Sequence, residues 1–500
     1  MTMDFEKINE SFSFLTGTSD EIRDAYNFLK VYDPKAKYNR LVKMGIKSPY
    51  QYFGSIQNNG LLIYNGHLPL IFKNFENQKF FEDLKEFKSL FDQKIIKLPF
   101  EPYDYQLKAV GYALTNKVCL LRSTTSSGKS AIISLILEYF RLKNLKGVLV
   151  VPNINLLTQF KNDIESYGLK DLHNEIQILG NGNKSDFSTT LTISTWQSLV
   201  EENKTNFDFI ICDEAHRFAS KVVSDIILRA NQTPIKLGFT GTLPEDPVAK
   251  MTLVGLFGQP KEIISAKELI ERGLGCPVKI NALILDYQYS EKSEFSKIKE
   301  YNDQLQYLIE HQKRNSLILK LVNSLNEKSE NCLILFQRTL HGKSLFIDYM
   351  KLKYPNVEIQ EENITGKKSF EFQEKYKVYF LNGEQPADIR EKIRAKMNDE
   401  EGSICFGNYA LVSTGLNIKQ LKNLIFATPL KAFTTVSQSL GRLMRLHKSK
   451  TESVVYDLVD NFGFKRPSGI FWKQYKHRQD MSYIPEDFKL TEVKINLEKF

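Results

Sequence analysis

From about residue 97 onward, short apolar runs alternate with polar loops and amphipathic stretches. Residues 118–121, 147–151, 190–194, 207–212 and 235–239 are dominated by apolar and β-branched side chains. Runs of that length, separated by stretches long enough for a helix, predict strands covered on both faces. Strand–helix–strand order then calls for a parallel sheet with right-handed crossovers. A second series begins near 285 and occupies 332–336, 377–381, 403–406, 423–427 and 453–457. The expected fold class is therefore α/β, with two tandem parallel-sheet domains at 97–284 and 285–465.

The flanking regions follow other patterns. Ser19, Asp20, Glu21 and Ile22 suggest a capping box opening a helix with Ile22, Ala25, Tyr26 and Leu29 on one face. Strand-like pieces at 50–53 and 61–64 are separated by the turn signal Asn58-Asn59-Gly60. A small α+β domain is expected over 1–96, closed by a charged helical stretch at 76–94. Residues 466–500 are polar apart from a patch at Phe471, Trp472 and Tyr475. They are expected to end in a helix packed on the second sheet. Residues 356–375 lie between two predicted strands, and alternation around Thr365 and Gly366 predicts a surface hairpin there.

Composition narrows the class without choosing a function. Five hundred residues can bury several cores, and two or three domains are expected. A net charge of +9 is compatible with a nucleic-acid partner but also with ordinary lysine-rich proteins. The five cysteines, Cys119, Cys212, Cys276, Cys332 and Cys405, are isolated, which points to core thiols and away from a metal or redox pair. The first residues lack the apolar stretch of a signal peptide, and no run is long enough to span a bilayer. A soluble, cytoplasmic protein with no membrane partner is expected.

The chemistry lies at the predicted carboxyl ends of the strands, where functional loops of such sheets belong. Thr125, Ser126, Ser127, Gly128, Lys129 and Ser130 follow one strand and precede a helical stretch. Backbone N–H groups at a helix start hold phosphates, so Lys129 is expected at the β- and γ-phosphates and the Ser130 hydroxyl on Mg²⁺. Ser123 stands where the strict pattern has its first glycine. Asp213 and Glu214, followed by Ala215 and His216, cap the run 207–212. Paired carboxylates beyond a buried strand are costly unless used. Asp213 is expected to bind Mg²⁺ through water, and Glu214 to orient and deprotonate the attacking water. The plainer alternative is a helix N-cap at Asp213.

Gln438, Arg442 and Arg445 fall on a helix predicted from about 434 and share a face. They are either a solvated stripe or fingers that stabilise charge on a transferring phosphoryl group. Their distance in sequence from Lys129 requires a second domain folded back on the first. In this order the three groups predict an ATP-hydrolysing motor. Weaker signals surround them. Gln106, after Tyr103 and Tyr105, is positioned to read an adenine edge, and Thr240-Gly241-Thr242 to couple hydrolysis to movement. Pro152, Thr195, Trp196, Ser413, Thr414 and Gly415 end strands and are candidates for gripping a nucleic-acid backbone.

Gln106, the Gly128-Lys129-Ser130 loop, Val150-Val151-Pro152-Asn153, Ser194-Thr195-Trp196-Gln197 and Asp213-Glu214-Ala215-His216 occur in family order, as do Thr240-Gly241-Thr242, Ser413-Thr414-Gly415 and Gln438 through Arg445. Over about 100–460 the chain thus resembles superfamily 2 helicases of the DEAH-box kind. Stretches 125–130, 336–343, 378–384 and 413–419 are similar to phage UvsW-type DNA helicases, although Tyr103 stands where such helicases often carry an arginine. The resemblance implies two RecA-like domains using ATP and Mg²⁺. It also implies unwinding, annealing and branch migration of forked or crossed DNA in recombination, repair and replication restart. A monomer in the host cytoplasm, with single-strand-binding or recombination proteins as partners, would follow.

Three other readings remain open on the residues alone: an RNA-remodelling helicase, a clamp that binds ATP without hydrolysis, and the motor subunit of a restriction system. In the first domain, Lys30, Lys35, Lys37, Arg40, Lys43 and Lys47 are interleaved with Tyr32 and Tyr38. They suggest either duplex or junction binding or a solvated lysine-rich face.

Overall fold

The buried runs sort their side chains onto two faces. In the computed structural model, residues 3–58, 60–72, 75, 78–124, 126–202, 205–366, 369–410 and 418–499 are described. The chain divides into two units, Met1–Ile264 and Ser265–Phe500. The first opens with β1 (Asp4–Lys7), β2 (Phe12–Thr16), β3 (Lys30–Tyr32), β4 (Tyr50–Tyr52), β5 (Gly54–Gln57) and β6 (Gly60–Tyr64). An antiparallel sheet of order β1-β2-β6-β5 packs on helix Ser19–Phe28 through Leu15, Ile22, Ala25, Leu61 and Ile63, while β3 and β4 form a separate ribbon. That helix is capped by Thr18 and not, as expected, by Ser19. Thr18 Oγ1 accepts the Glu21 N–H at 3.3 Å, and the Glu21 carboxylate accepts the Thr18 N–H at 3.1 Å. A capping box needs an acceptor three residues on; from Ser19 that residue is Ile22, which has none.

The first motor sheet contains β7 (Val118–Ser123), β8 (Gly147–Val151), β9 (Ile176–Leu179), β10 (Leu191–Thr195), β11 (Phe209–Cys212), β12 (Ile235–Thr240) and β13 (Pro260–Ile264). Its order is β13-β7-β12-β11-β8-β10-β9, parallel throughout. Along β8, Leu149 and Val151 enter the core of helices Asp104–Asn116, Lys129–Leu142 and Ile154–Ser166. Val148 and Val150 enter the opposite core, with helices Lys221–Arg229 and Pro247–Phe257. Period-2 geometry sends alternate residues to opposite faces, so a strand covered twice must be apolar at every position. Truncating Leu149 to alanine would cost about 2–5 kcal/mol.

The second unit repeats the plan with β14 (Val278–Asp286), β15 (Cys332–Phe336), β16 (Val378–Leu381), β17 (Ile404–Asn408), β18 (Asn423–Phe426), β19 (Ser453–Asn461) and β20 (Lys489–Asn496). The order is β16-β17-β15-β18-β19-β14-β20, again parallel. Because β14 pairs with β19 from Val278 onward, the second sheet begins before residue 285. The tail also differs from expectation. Helix Ile470–Arg478 is present, but the chain continues into β20, which pairs along β14 from Lys279 to Asp286. This edge strand is largely exposed, so it lacks the apolar pattern that marks the others.

Residues 356–375 form no hairpin among the described residues; a turn at Glu361–Asn363 is followed by helix Ser369–Tyr376. The helix places Phe372 and Tyr376, four apart, with ring centroids 5.2 Å from each other, and lets Gln373 donate to the Asn363 and Ile364 carbonyls at 3.0 Å. An alternation of a few residues cannot tell these alternatives apart. All five cysteines are buried and free. Among the described residues no helix is long and apolar enough to cross a membrane.

Candidate nucleotide site

β7 ends at Ser123, and the loop after it is held by hydroxyls where a glycine was expected. Ser127 Oγ donates to Ser123 Oγ at 3.0 Å, both residues being buried. This bond ties the start of the loop to its middle and accounts for the serine at that place. Ser126 and Gly128 have φ of 75° and 79°, left-handed values that turn the chain into helix Lys129–Leu142. A Cβ on Gly128 would lie 2.3 Å from Gln106 Nε2, so a side chain there would displace Gln106 as well as strain the left-handed backbone. The N-cap residue, Gly128, has no side chain with which to cap this helix, whose first N–H groups have no partner within it. Thr125 lies outside the described residues.

Gln106 is placed against this loop. Its Nε2 donates to the Ser127 carbonyl at 3.1 Å, its Oε1 accepts the Tyr103 N–H at 3.0 Å, and the side chain is buried. Tyr105, which no sequence signal singled out, donates its hydroxyl to the same carbonyl at 2.8 Å. In this arrangement Gln106 ties the start of helix Asp104–Asn116 to the loop after β7.

Lys129 Nζ lies 3.2 Å from Glu214 Oε1. Burial opposes both charges, but each group's partner outweighs it: Lys129 is raised by Glu214 and Asp213, and Glu214 is held low by Lys129 and His216. Asp213 continues the ladder beyond β11, its N–H donating to the Val150 carbonyl at 2.9 Å. Burial, with Glu214 adding to it against the pull of Lys129, pushes the Asp213 carboxyl up to about 6. Glu214 has φ of 49°, a left-handed backbone costly for a residue with a side chain. Asp213 therefore does not start a helix as a simple cap.

His216 extends the site to the end of β12. Its Nδ1 is 3.0 Å from Thr240 Oγ1 and 3.4 Å from Glu214 Oε2. The Thr240 hydroxyl gives its proton to the Thr242 carbonyl at 2.6 Å, so Nδ1 carries the hydrogen in the His216–Thr240 bond. Burial lowers the His216 pKa, which keeps the ring neutral and suited to that single bond. His216, 3.4 Å from Glu214, thus ties the stretch that carries the acid pair to the Thr240-Gly241-Thr242 turn through its bond to Thr240, a link that spacing alone does not reveal.

The other predicted residues are more scattered. Pro152 is buried after β8, and Asn153 caps helix Ile154–Ser166 by accepting the Leu156 N–H at 3.1 Å. Thr195 is buried and caps helix Trp196–Val200 through the Ser198 N–H at 3.3 Å. Trp196 is half-buried against the second core of this sheet. Ser413, Thr414 and Gly415 lie outside the described residues.

In the second unit, Gln438 and Arg442 sit on helix Phe433–Leu443, but Arg445 lies past its C-cap, Met444, and so does not continue that helical face. The segment leading into this helix is fixed by two buried arginines. Arg314 Nη1 donates to the Ala427 carbonyl at 2.8 Å and Arg478 Nη1 to the Leu430 carbonyl at 2.5 Å. Each guanidinium is also bidentate to a carboxylate on β19, Arg314 to Asp460 and Arg478 to Asp457. The buried Lys450 Nζ donates to the Leu443 and Leu421 carbonyls at 2.8 and 3.0 Å, closing the helix's far end.

Residues 99–245 match the family described as Type III restriction enzyme, res subunit. The archaeal DNA 3'-5' translocase XPB2 of Sulfurisphaera tokodaii is 23% identical over 377 residues, 73% of this chain and 83% of that protein. A fragment of an HsdR subunit of a type I restriction enzyme from Vibrio vulnificus YJ016 shares the fold, with a TM-score of 0.58 at 16% identity over 82% of this chain and 72% of that one. The two parallel sheets are accordingly those of RecA-like helicase domains. The ATP-dependent DNA helicase uvsW of Enterobacteria phage T4 is 31% identical over 386 residues, 75% of this chain and 72% of that protein. Identity of that depth over three quarters of its length makes the chain a member of the UvsW family of ATP-dependent DNA helicases.

Proposed function

We propose that this helicase remodels forked and recombination-intermediate DNA, and that the Lys129–Glu214 contact is the resting state of its ATPase. That contact, at 3.2 Å beside a helix start whose N-cap is Gly128, carries the reading. The N–H groups after Gly128 and the Lys129 ammonium fit a phosphate chain. The Ser130 hydroxyl and the Asp213 carboxylate are hard oxygen donors that fit Mg²⁺. Bound there, the ion would neutralise phosphate charge.

A triphosphate entering the loop competes with Glu214 for Lys129. Freed of its partner, Glu214 accepts a proton from water as the water oxygen bonds to the γ-phosphorus and ADP departs. Until then the base is neutralised, which suppresses idle turnover. Arg442 and Arg445 stabilise the charge that develops on the transferring phosphoryl group, and Gln438 supports them. The His216–Thr240 bond carries the change at Glu214 into the turn at 240–242. Pro152 and Thr195 are buried, so they act on DNA through the backbone groups beside them, and Trp196, Ser413, Thr414 and Gly415 also grip the nucleic-acid backbone. Residues 1–96 select branched DNA through their exposed lysines. The enzyme acts as a monomer in the host cytoplasm alongside single-strand-binding or recombination proteins.

The test is phosphate release by the purified chain with no nucleic acid, single-stranded DNA, duplex, fork, four-way junction and matched RNA, with Lys129→Ala as control. Strongest stimulation by fork or junction supports the reading. Preference for RNA, or an equal response to every polymer, removes the substrate assignment.

A further inference from the structure

The ribbon β3–β4 supports a loop with almost no core of its own. The strands pair Lys30 with Tyr52 and Tyr32 with Tyr50, and the Asp33 N–H closes the neck on the Pro49 carbonyl at 2.9 Å. Between 34 and 48 only Ala36 is buried and only Val42 is half-buried. Local bonds set its shape: Asn39 caps helix Arg40–Lys43, and the Ile46 and Lys47 N–H groups both reach the Leu41 carbonyl. The arm is anchored to the motor. Lys35 Nζ meets Asp246 Oδ2 at 2.7 Å, and Asp246 caps helix Pro247–Phe257.

Two features of the arm stand together. Tyr38, Leu41, Met44 and Ile46 are exposed by 74%, 47%, 58% and 66%. Single exposed apolar residues are ordinary, but a cluster on a loop without a core marks a contact surface. Around them lie Lys35, Lys37, Arg40, Lys43 and Lys47, with Asp33 the one acidic residue between 33 and 49. An apolar protein partner would leave those cations unmatched. A DNA fork presents what both features need: phosphates at the rim and the flat apolar face of the last base pair.

Resting on the forked-DNA reading above, we infer that residues 33–49 form a strand-separating wedge. Tyr38, Met44 and Ile46 pack on the base pair at the fork, while Lys37, Arg40, Lys43 and Lys47 hold the flanking phosphates. The Lys35–Asp246 contact makes the wedge travel with the unit that binds ATP, so each step presses it against the next pair.

The experiment uses the full chain and a forked DNA with 2-aminopurine in the first base pair, without ATP. The wild type should raise the fluorescence by about twofold as that pair unstacks. The exposed positions make Met44→Ser with Ile46→Ser compatible with folding. This variant should lose the rise and unwind forks about tenfold more slowly, while phosphate release stimulated by single-stranded DNA, which offers no fork base pair, stays at the wild-type level. Arg40→Ala with Lys43→Ala should instead weaken binding and lower the salt slope by about 2. Equal fluorescence and unwinding in wild type and the Met44/Ile46 variant overturns the wedge and leaves the tip as a contact for another protein. A wild type that neither binds nor unwinds the fork sinks the substrate assignment, and the wedge with it.

Discussion

The two motor sheets both collect buried charge near the carboxyl ends of their strands, and they treat it differently. In the first unit, Lys129 and Glu214 meet at 3.2 Å and Asp213 is pushed up to about 6 by burial. In the second, Asp457 holds Arg478 at 2.9 and 2.7 Å and also accepts the Tyr483 hydroxyl at 2.7 Å. Asp460 holds Arg314 and the Tyr287 hydroxyl in the same way. Burial works against both arginine charges, and the carboxylates more than compensate. Charge left with weak partners is ready to exchange them for a ligand; charge saturated by bidentate bonds is scaffold. One fold thus carries a single Lys129–Glu214 pair at the proposed ATP site in one unit and two saturated arginine–carboxylate pairs beside helix Phe433–Leu443 in the other.

The largest test of that contrast is Lys129→Ala or Glu214→Gln. Turnover should fall by about a thousandfold or more while DNA binding persists, read by phosphate release and by fork binding. Wild-type hydrolysis in either variant would make the first cluster scaffold too, and the contrast would vanish.

Next in size is Asp457→Ala, which strands the buried Arg478. It should destabilise the chain by about 3–5 kcal/mol in urea melts. A loss near zero would mean that the second cluster is no better satisfied than the first.

Buried lysines sharpen the comparison through pH. Lys236, whose Nζ donates to Ser11 Oγ at 2.7 Å, is pushed down to about 8 chiefly by burial, as is Lys450 in the other unit. Between about 8 and 10.5 the unfolded chain keeps a proton that the folded lysine has lost, so stability rises with pH through that window. Lowering the pH through about 8 removes that contribution. Lys236→Met should flatten the rise by on the order of 2 kcal/mol in melts across the window, and an unchanged slope would place the titration elsewhere.

The smallest effect is expected at Thr240→Val, which keeps volume but removes the acceptor for His216. Stability should drop by only about 1 kcal/mol. Base pairs unwound per ATP should fall more than the hydrolysis rate does. Equal losses of the two would show that the His216–Thr240 bond plays no part in coupling.

Much of this architecture was legible because strand burial and motif context are local. The runs at 118–121 and 147–151 are apolar at successive positions, and their strands are covered on both faces. Where the environment is not local, sequence patterns failed. β20 is exposed and polar, yet it pairs along the whole of β14. Residues 369–376 alternate like a strand but fold as a helix once Gln373 finds the turn carbonyls. Arg445 follows Arg442 by three residues, but the helix stops at Leu443 before they can share a face.

Sequence alone therefore determined where the candidate groups stand: Lys129 at the start of a helix, Asp213 and Glu214 beyond a buried strand, Arg442 on a helix of the second unit. Each rests on a strand–turn–helix context contained within a few residues. Only the tertiary structure decided their partners and protonation. Lys129 reaches Glu214 across 85 residues, Arg478 reaches Leu430 across 48, and Lys236 reaches Ser11 across 225. The physical reason is that charge energetics depend on desolvation and on neighbours in space, and neither is encoded in spacing along the chain.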